Sequence, residues 1–160
     1  MCMETFEKYT CCFFGNRTID VTEELTTNLN KTIRKLIVEK EVDTFLFGSK
    51  SQFNDLCYEQ VTRLKEEHPH IKRIYVRAEF PHIPEGYEVY LRERYEDSYY
   101  PDAVKGAGKA VYLQRNRTMI DNSRFCVVYC RENYAPPNRK SGTVQSLDYA
   151  TKKNKEIIRL

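Results

Sequence analysis

No stretch of the 160-residue sequence is apolar for long enough to cross a bilayer: the longest such run, FCVVYC at 125–130, falls far short of the roughly 20 residues a spanning helix needs. The opening residues, MCMETFEKYT, lack the apolar centre of a signal peptide, so a cytoplasmic protein without membrane association is expected. None of the six cysteines (Cys2, Cys11, Cys12, Cys57, Cys126, Cys130) forms a Cys-x-x-Cys pair, and most sit inside apolar runs where Cys behaves as a small hydrophobe. Reduced, packed thiols are expected rather than disulfides or metal ligands. His68, His70 and His82 cluster around prolines without metal-ligand spacing or a nucleophile partner, which makes them exposed turn residues and leaves no metal site. A net charge of +3 is too small and too spread to indicate nucleic acid by itself. There is no internal repeat, low-complexity segment or interdomain linker, so residues 1–160 read as one domain.

What is present is an alternation of short apolar runs with amphipathic segments. YTCCFF (9–14) reads as a strand, and the acid-capped segment 19–40 as a helix with Leu25, Leu29, Ile33, Leu36 and Ile37 on one stripe. VDTFLFG (42–48) is a second strand, followed by a helix over 51–68 with Phe53, Leu56, Val61 and Leu64 inward. KRIYVRA (72–78) is a third strand. From Glu79 to Lys109 the pattern loosens into an irregular insert carrying Pro81, Pro84, Gly86 and Pro101, with one short helix expected within YLRERYEDSYY (90–100). A helix over 110–123, a strand RFCVVYC (124–130), a loop RENYAPPNRK (131–140), a helix from Ser141 and a fifth strand KEIIRL (155–160) complete the chain. Near-continuous apolar strands separated by helices indicate an α/β, Rossmann-like three-layer sandwich with a mainly parallel sheet of about five strands.

In such a sheet ligands bind beyond the carboxyl ends of the strands, where the strand order reverses. Three glycine-containing turns occupy or follow those ends. FGNR places Gly15, Asn16 and Arg17 after the first strand, and Arg17 is either a surface charge or a bidentate partner for phosphate. FGSKS places Gly48, Ser49 and Lys50 after the second, where Lys50 is either a solvated lysine at a helix start or a ligand contact. Ser141, Gly142 and Thr143 open a helix whose unpaired N–H groups suit an anion, with Arg139 and Lys140 just before it; the same residues also read as an ordinary capped helix under a basic loop. Arg115 and Arg117 lie two apart on one helix, so at most one faces a shared pocket.

Taken together, CCFFGNR (11–17), FLFGSKSQFNDLCYEQV (45–61), RNRTMIDNSRFCVVYC (115–130) and SGTVQSLDYATKKNKEII (141–158) resemble the SLOG superfamily, the Rossmann-like group named for the Smf/DprA and LOG proteins, and most of all its small bacterial YpsA-like members. The resemblance covers most of the chain outside about 79–109. It implies a pocket for a nucleotide or a nucleotide-derived signal such as an NAD-derived cyclic ADP-ribose. Carried over by position, Gly15 and Arg17 would line it at the first strand, Gly48 and Ser49 at the second, and Ser141, Gly142 and Thr143 would hold phosphate, with Asn16 and Lys50 as further candidate ligand contacts in the same turns. Arg115 matches an arginine that the LOG enzymes carry on the preceding helix.

The catalytic carboxylate position of the LOG loop, however, falls on Ser146, with Gln145 beside it. Without a carboxylate to stabilise an oxocarbenium ion or activate water, LOG-type hydrolysis loses its main chemical group. The resemblance therefore implies a sensor or sponge that binds without catalysis, needs no cofactor and pairs as a homo-oligomer. An N-glycosidase or deoxyribosyltransferase would have to draw its carboxylate from Glu79, Glu85 or Asp97. A DprA-like single-stranded nucleic-acid binder ranks last, because the acids of YEVYLRERYEDSYY (87–100) offset its arginines.

Overall fold

The computed structural model of the chain describes residues 3–48, 50–131 and 141–160, with side chains from Phe6 onward. Its elements in chain order are α1 (Met3–Lys8), β1 (Thr10–Gly15), α2 (Glu23–Glu39), β2 (Thr44–Phe47), α3 (Gln52–Glu67), β3 (Lys72–Val76), α4 (Glu85–Arg94), β4 (Asp97–Tyr99), α5 (Val111–Asp121), β5 (Phe125–Tyr129), α6 (Gly142–Lys152) and β6 (Glu156–Arg159). The six strands form one sheet in the order β4-β3-β2-β1-β5-β6, and every pairing is parallel. The chain is an α/β, Rossmann-like three-layer sandwich.

The side-chain period of a strand explains the two layers of core. Cys11 and Phe13 of β1 join Phe45, Phe47 and Val127 in one cluster, which α2, α3 and α4 cover. Cys12 and Phe14 point the other way and join Leu46, Val76, Cys126 and Val128 beneath α5 and α6. The Phe13 ring stacks on Phe45 at 5.9 Å and on Phe47 at 5.4 Å between centroids and is fully buried; truncating such a ring to alanine costs about 3–5 kcal/mol. Helices covering opposite faces follow from the strand order. The chain steps outward from β1 through β2, β3 and β4, then returns past β1 to lay down β5 and β6, and crossovers of one hand running in opposite directions put their helices on opposite faces.

The expected inward stripe of α2, Leu25, Leu29, Ile33, Leu36 and Ile37, is buried, and Thr22 caps the helix by accepting from the Leu25 N–H at 3.1 Å. Phe53, Leu56, Val61 and Leu64 of α3 are buried as well, and Ser51 caps it by accepting from the Asn54 N–H at 3.0 Å. Two expectations differ. The sheet has six strands rather than about five, and the single helix expected within 90–100 is instead the end of α4 followed by β4. β4 escapes detection because it is three residues at a sheet edge with no apolar run, held by pairing to β3. The expected loop over 131–140 lies outside the described residues except for Arg131. Among the described residues no helix is long and apolar enough to cross a membrane.

Candidate functional site

The strand order reverses between β1 and β5, and a cleft of about 650 Å³ opens beyond the carboxyl ends of β1 and β2. It brings together Gly15, Asn16 and Arg17 after β1, Gly48 and Lys50 after β2, Arg115 on α5, and Ser141, Gly142 and Thr143 at the start of α6. Nine of the ten residues singled out in the sequence thus share one cleft; the tenth, Ser49, lies outside the described residues, as do Arg139 and Lys140.

The glycines serve different purposes. Gly15 is the last residue of β1, and a Cβ there would lie 2.2 Å from the ring of Phe53, which itself stacks on Tyr129 at 5.6 Å. Glycine at this position makes room for α3 to seat on the sheet. A Cβ on Gly48 would meet the Val76 carbonyl oxygen at 2.8 Å and Arg115 Cδ at 2.9 Å, so Gly48 clears the path by which Arg115 enters. At Gly142 nothing among the described residues lies within 4 Å of the missing Cβ, which leaves the backbone at the head of α6 open to approach from their side.

Arg115 is 5% exposed, donates through Nη1 to the Gly48 carbonyl and through Nε to Asn116 Oδ1 at 2.9 Å, and lies over the Tyr112 ring at 5.7 Å. It makes no ion pair among the described residues, and burial pushes the guanidinium below its ordinary pKa against the opposing pull of Tyr75, Tyr112 and Glu79. Arg117 turns away and stacks over Tyr149 of α6 at 5.1 Å, so one arginine of the pair reaches the cleft and the other does not.

Ser141 takes up an extended N-cap conformation and its Oγ accepts from the Val144 N–H at 3.2 Å. The N–H groups of Gly142 and Thr143, ahead of the first intrahelical bond, add partial positive charge at this end of the cleft. Arg17 is exposed and forms no ion pair among the described residues. Its backbone is fixed, because the Gln52 N–H donates to the Arg17 carbonyl at 2.9 Å while Gln52 Oε1 accepts from the Ile19 N–H at 2.9 Å. Asn16 is 4% exposed, and its Oδ1 accepts from the Arg131 N–H at 2.7 Å, tying the end of β1 to the chain leaving β5. Lys50 pairs with Glu79 at 2.5 Å on the cleft rim. Their hydrogen bond raises the lysine and lowers the carboxyl from their ordinary pKa values, so both are held charged.

Sequence reasoning passes over Tyr112 and Asn116, which also line the cleft. Tyr112 lies three residues before Arg115 on one helix, so i,i+3 spacing carries the signal for it. A second cleft, of about 550 Å³, adjoins the first and shares Lys50 and Arg115 with it. It lies between the start of α3, the end of β3 and α4, and four tyrosines line it. Of the three carboxylates a glycosidase could draw on, Glu79 borders this second cleft, whereas Glu85 and Asp97 border neither. Ser146 is buried on α6 away from both.

Cys11, Cys12, Cys57 and Cys126 are buried free thiols, with Cys12 and Cys126 facing one another across β1 and β5 at 3.5 Å between sulfurs. Burial raises Cys11 and Cys57 well above the ordinary thiol value, which makes them packing groups rather than nucleophiles. Among the described residues no three His, Cys, Asp or Glu side chains come together as metal ligands. No protein-family model and no curated protein matches the chain.

Proposed function

We propose that the cleft at the ends of β1 and β2 binds the phosphate of a nucleotide or nucleotide-derived signal and that the protein holds this ligand without turning it over, as a sensor or a sponge. The observation that carries the reading is Arg115. A guanidinium 5% exposed, in contact with an open cleft and without a carboxylate partner among the described residues, is costly unless an anion completes it. Arg17 and the open head of α6 stand around the same space and offer the donors such an anion needs. The resemblance to the SLOG superfamily supports the same ligand class, and Ser146 at the LOG carboxylate position supports binding over hydrolysis.

The test is calorimetry of the full chain with inorganic pyrophosphate and a panel of nucleotides and NAD-derived cyclic molecules. Arg17→Ala and Thr143→Val are each expected to weaken binding about tenfold, the scale of one lost charge-assisted or buried hydrogen bond, with the melting temperature moving by no more than about 2 °C. Normal binding by both variants would remove the assignment. Glu79 beside Arg115 gives a glycosidase reading its one observation; release of free base by the wild type, abolished in Glu79→Gln, would replace the binding reading with catalysis.

A further inference from the structure

The second cleft carries groups that phosphate binding leaves unused. Its volume of about 550 Å³ is in the range of small-molecule sites. Tyr75, Tyr87, Tyr90 and Tyr95 line it, and the rings of Tyr87 and Tyr90 lie nearly parallel, 14° apart with centroids at 6.0 Å. Arg94 lies over Tyr58 at 4.6 Å and over Tyr90 at 5.1 Å, which places a guanidinium beside the aromatic lining. Planar walls of this kind favour a flat, polarisable guest over an aliphatic one.

Asn54 supplies the second observation. It is 5% exposed, lines this cleft, and its Oδ1 is buried with no hydrogen-bond partner among the described residues. A buried carboxamide oxygen left unpaired is destabilising, and rotation of the Asn54 carboxamide toward the cleft it lines would let a guest supply the missing donor. A carboxamide presents an acceptor and a donor side by side, the pattern that pairs with N6 and N7 of adenine. The cleft therefore combines stacking faces with an edge reader.

We propose that this tyrosine-lined cleft is a purine-base subsite, so that one ligand spans Arg115 with its phosphate toward Arg17 and α6 and its base toward Asn54. The inference rests on the nucleotide reading of the first cleft and extends it by naming the base class and its location. The shared border of Lys50 and Arg115 makes the two clefts continuous enough for one nucleotide to occupy both.

The experiment is calorimetry of the full chain with AMP, UMP and ribose 5-phosphate, which carry the same phosphate with a purine, a pyrimidine and no base. The wild type is expected to bind AMP at least about tenfold more tightly than ribose 5-phosphate, the scale of one stacked base, and more tightly than UMP. Asn54→Leu should narrow the ratio of AMP to ribose 5-phosphate affinity, because it removes the edge contact while the stacking faces remain. Tyr90→Ala, at a position 48% exposed and therefore safe for folding, should narrow the same ratio and decides the matter if Asn54→Leu does not fold. Equal affinity for AMP and ribose 5-phosphate in the wild type overturns the base subsite while leaving the phosphate site standing. Equal affinity for AMP and UMP, or a ratio that neither variant moves, overturns the purine assignment to this cleft. Failure of all three to bind removes the phosphate site and this inference with it.

Discussion

An added Cβ at Gly15 would stand 2.2 Å from the Phe53 ring, closer than any neighbour can yield without moving α3. At Gly142 the same addition meets nothing within 4 Å among the described residues. Gly15→Ala is therefore expected to lose about 1–3 kcal/mol by overpacking, seen as a lower urea midpoint, and Phe53→Leu in that background should recover part of the loss because the two positions share one contact. Gly142→Ala should hold or raise stability by up to about 1 kcal/mol, since alanine restricts the unfolded chain and fits a helical first turn, yet weaken pyrophosphate binding by putting a methyl group where the ligand approaches. Wild-type stability in Gly15→Ala would show that Phe53 repacks freely. Wild-type binding in Gly142→Ala would move the anion away from the head of α6.

Among the elements, β4 depends most on a few polar groups. It pairs with β3 over three residues, and at its start Glu96 accepts from Arg73 Nε at 3.0 Å and Nη2 at 2.8 Å, while the Glu96 N–H donates to the Arg73 carbonyl at 2.9 Å. Arg73 is held in turn by Thr62 Oγ1 at 3.0 Å and lies over the Tyr58 ring at 5.5 Å. Burial would raise the Glu96 carboxyl, but its bonds from Arg73 outweigh that and leave it lowered. A carboxyl lowered by folding stabilises fully above its unfolded value of about 4.3 and loses that contribution as pH falls through its folded value. Glu96→Gln should accordingly cost about 1–2 kcal/mol at pH 7 and flatten the fall in stability between about pH 5 and pH 3, measured by urea unfolding across that range. An acid profile identical to that of the wild type would show that Glu96 does not anchor the edge.

For the whole molecule, strand order sets where stability is concentrated. β1 lies between β2 and β5, with Cys11, Cys12 and Phe13 fully buried, whereas β4 and β6 form the two edges and keep exposed positions. Native-state hydrogen exchange should therefore show the amides of β1 and β5 opening only with global unfolding, and those of β4 and β6 exchanging at least about tenfold faster through local opening. Protection of β4 equal to that of β1 would mean that the edge and centre unfold as one unit. The candidate site draws on the centre of the sheet, because two of its three glycine-containing turns leave β1 and β2.

Local signals in the chain were enough for α2, α3, the central strands and most of the first cleft. A stripe such as Leu25, Leu29, Ile33 and Leu36, a glycine at a strand end, or a serine opening a helix has its physical cause within a few residues. The short strand β4 had no such signal, since Asp97, Ser98 and Tyr99 become a strand only against Ile74, Tyr75 and Val76. Why Gly15 must be glycine was equally hidden, because the reason is Phe53 on the following helix. Which arginine enters the cleft, and that Asn54 Oδ1 lacks a partner among the described residues while lining a cleft with tyrosines some 20 to 40 residues away, were decided only by the tertiary structure. The sequence by itself determined the periods, caps and turn residues of the elements. The meeting of their ends depends on strand order and on how each helix seats on the sheet, and these are properties of distant contacts that no local pattern contains.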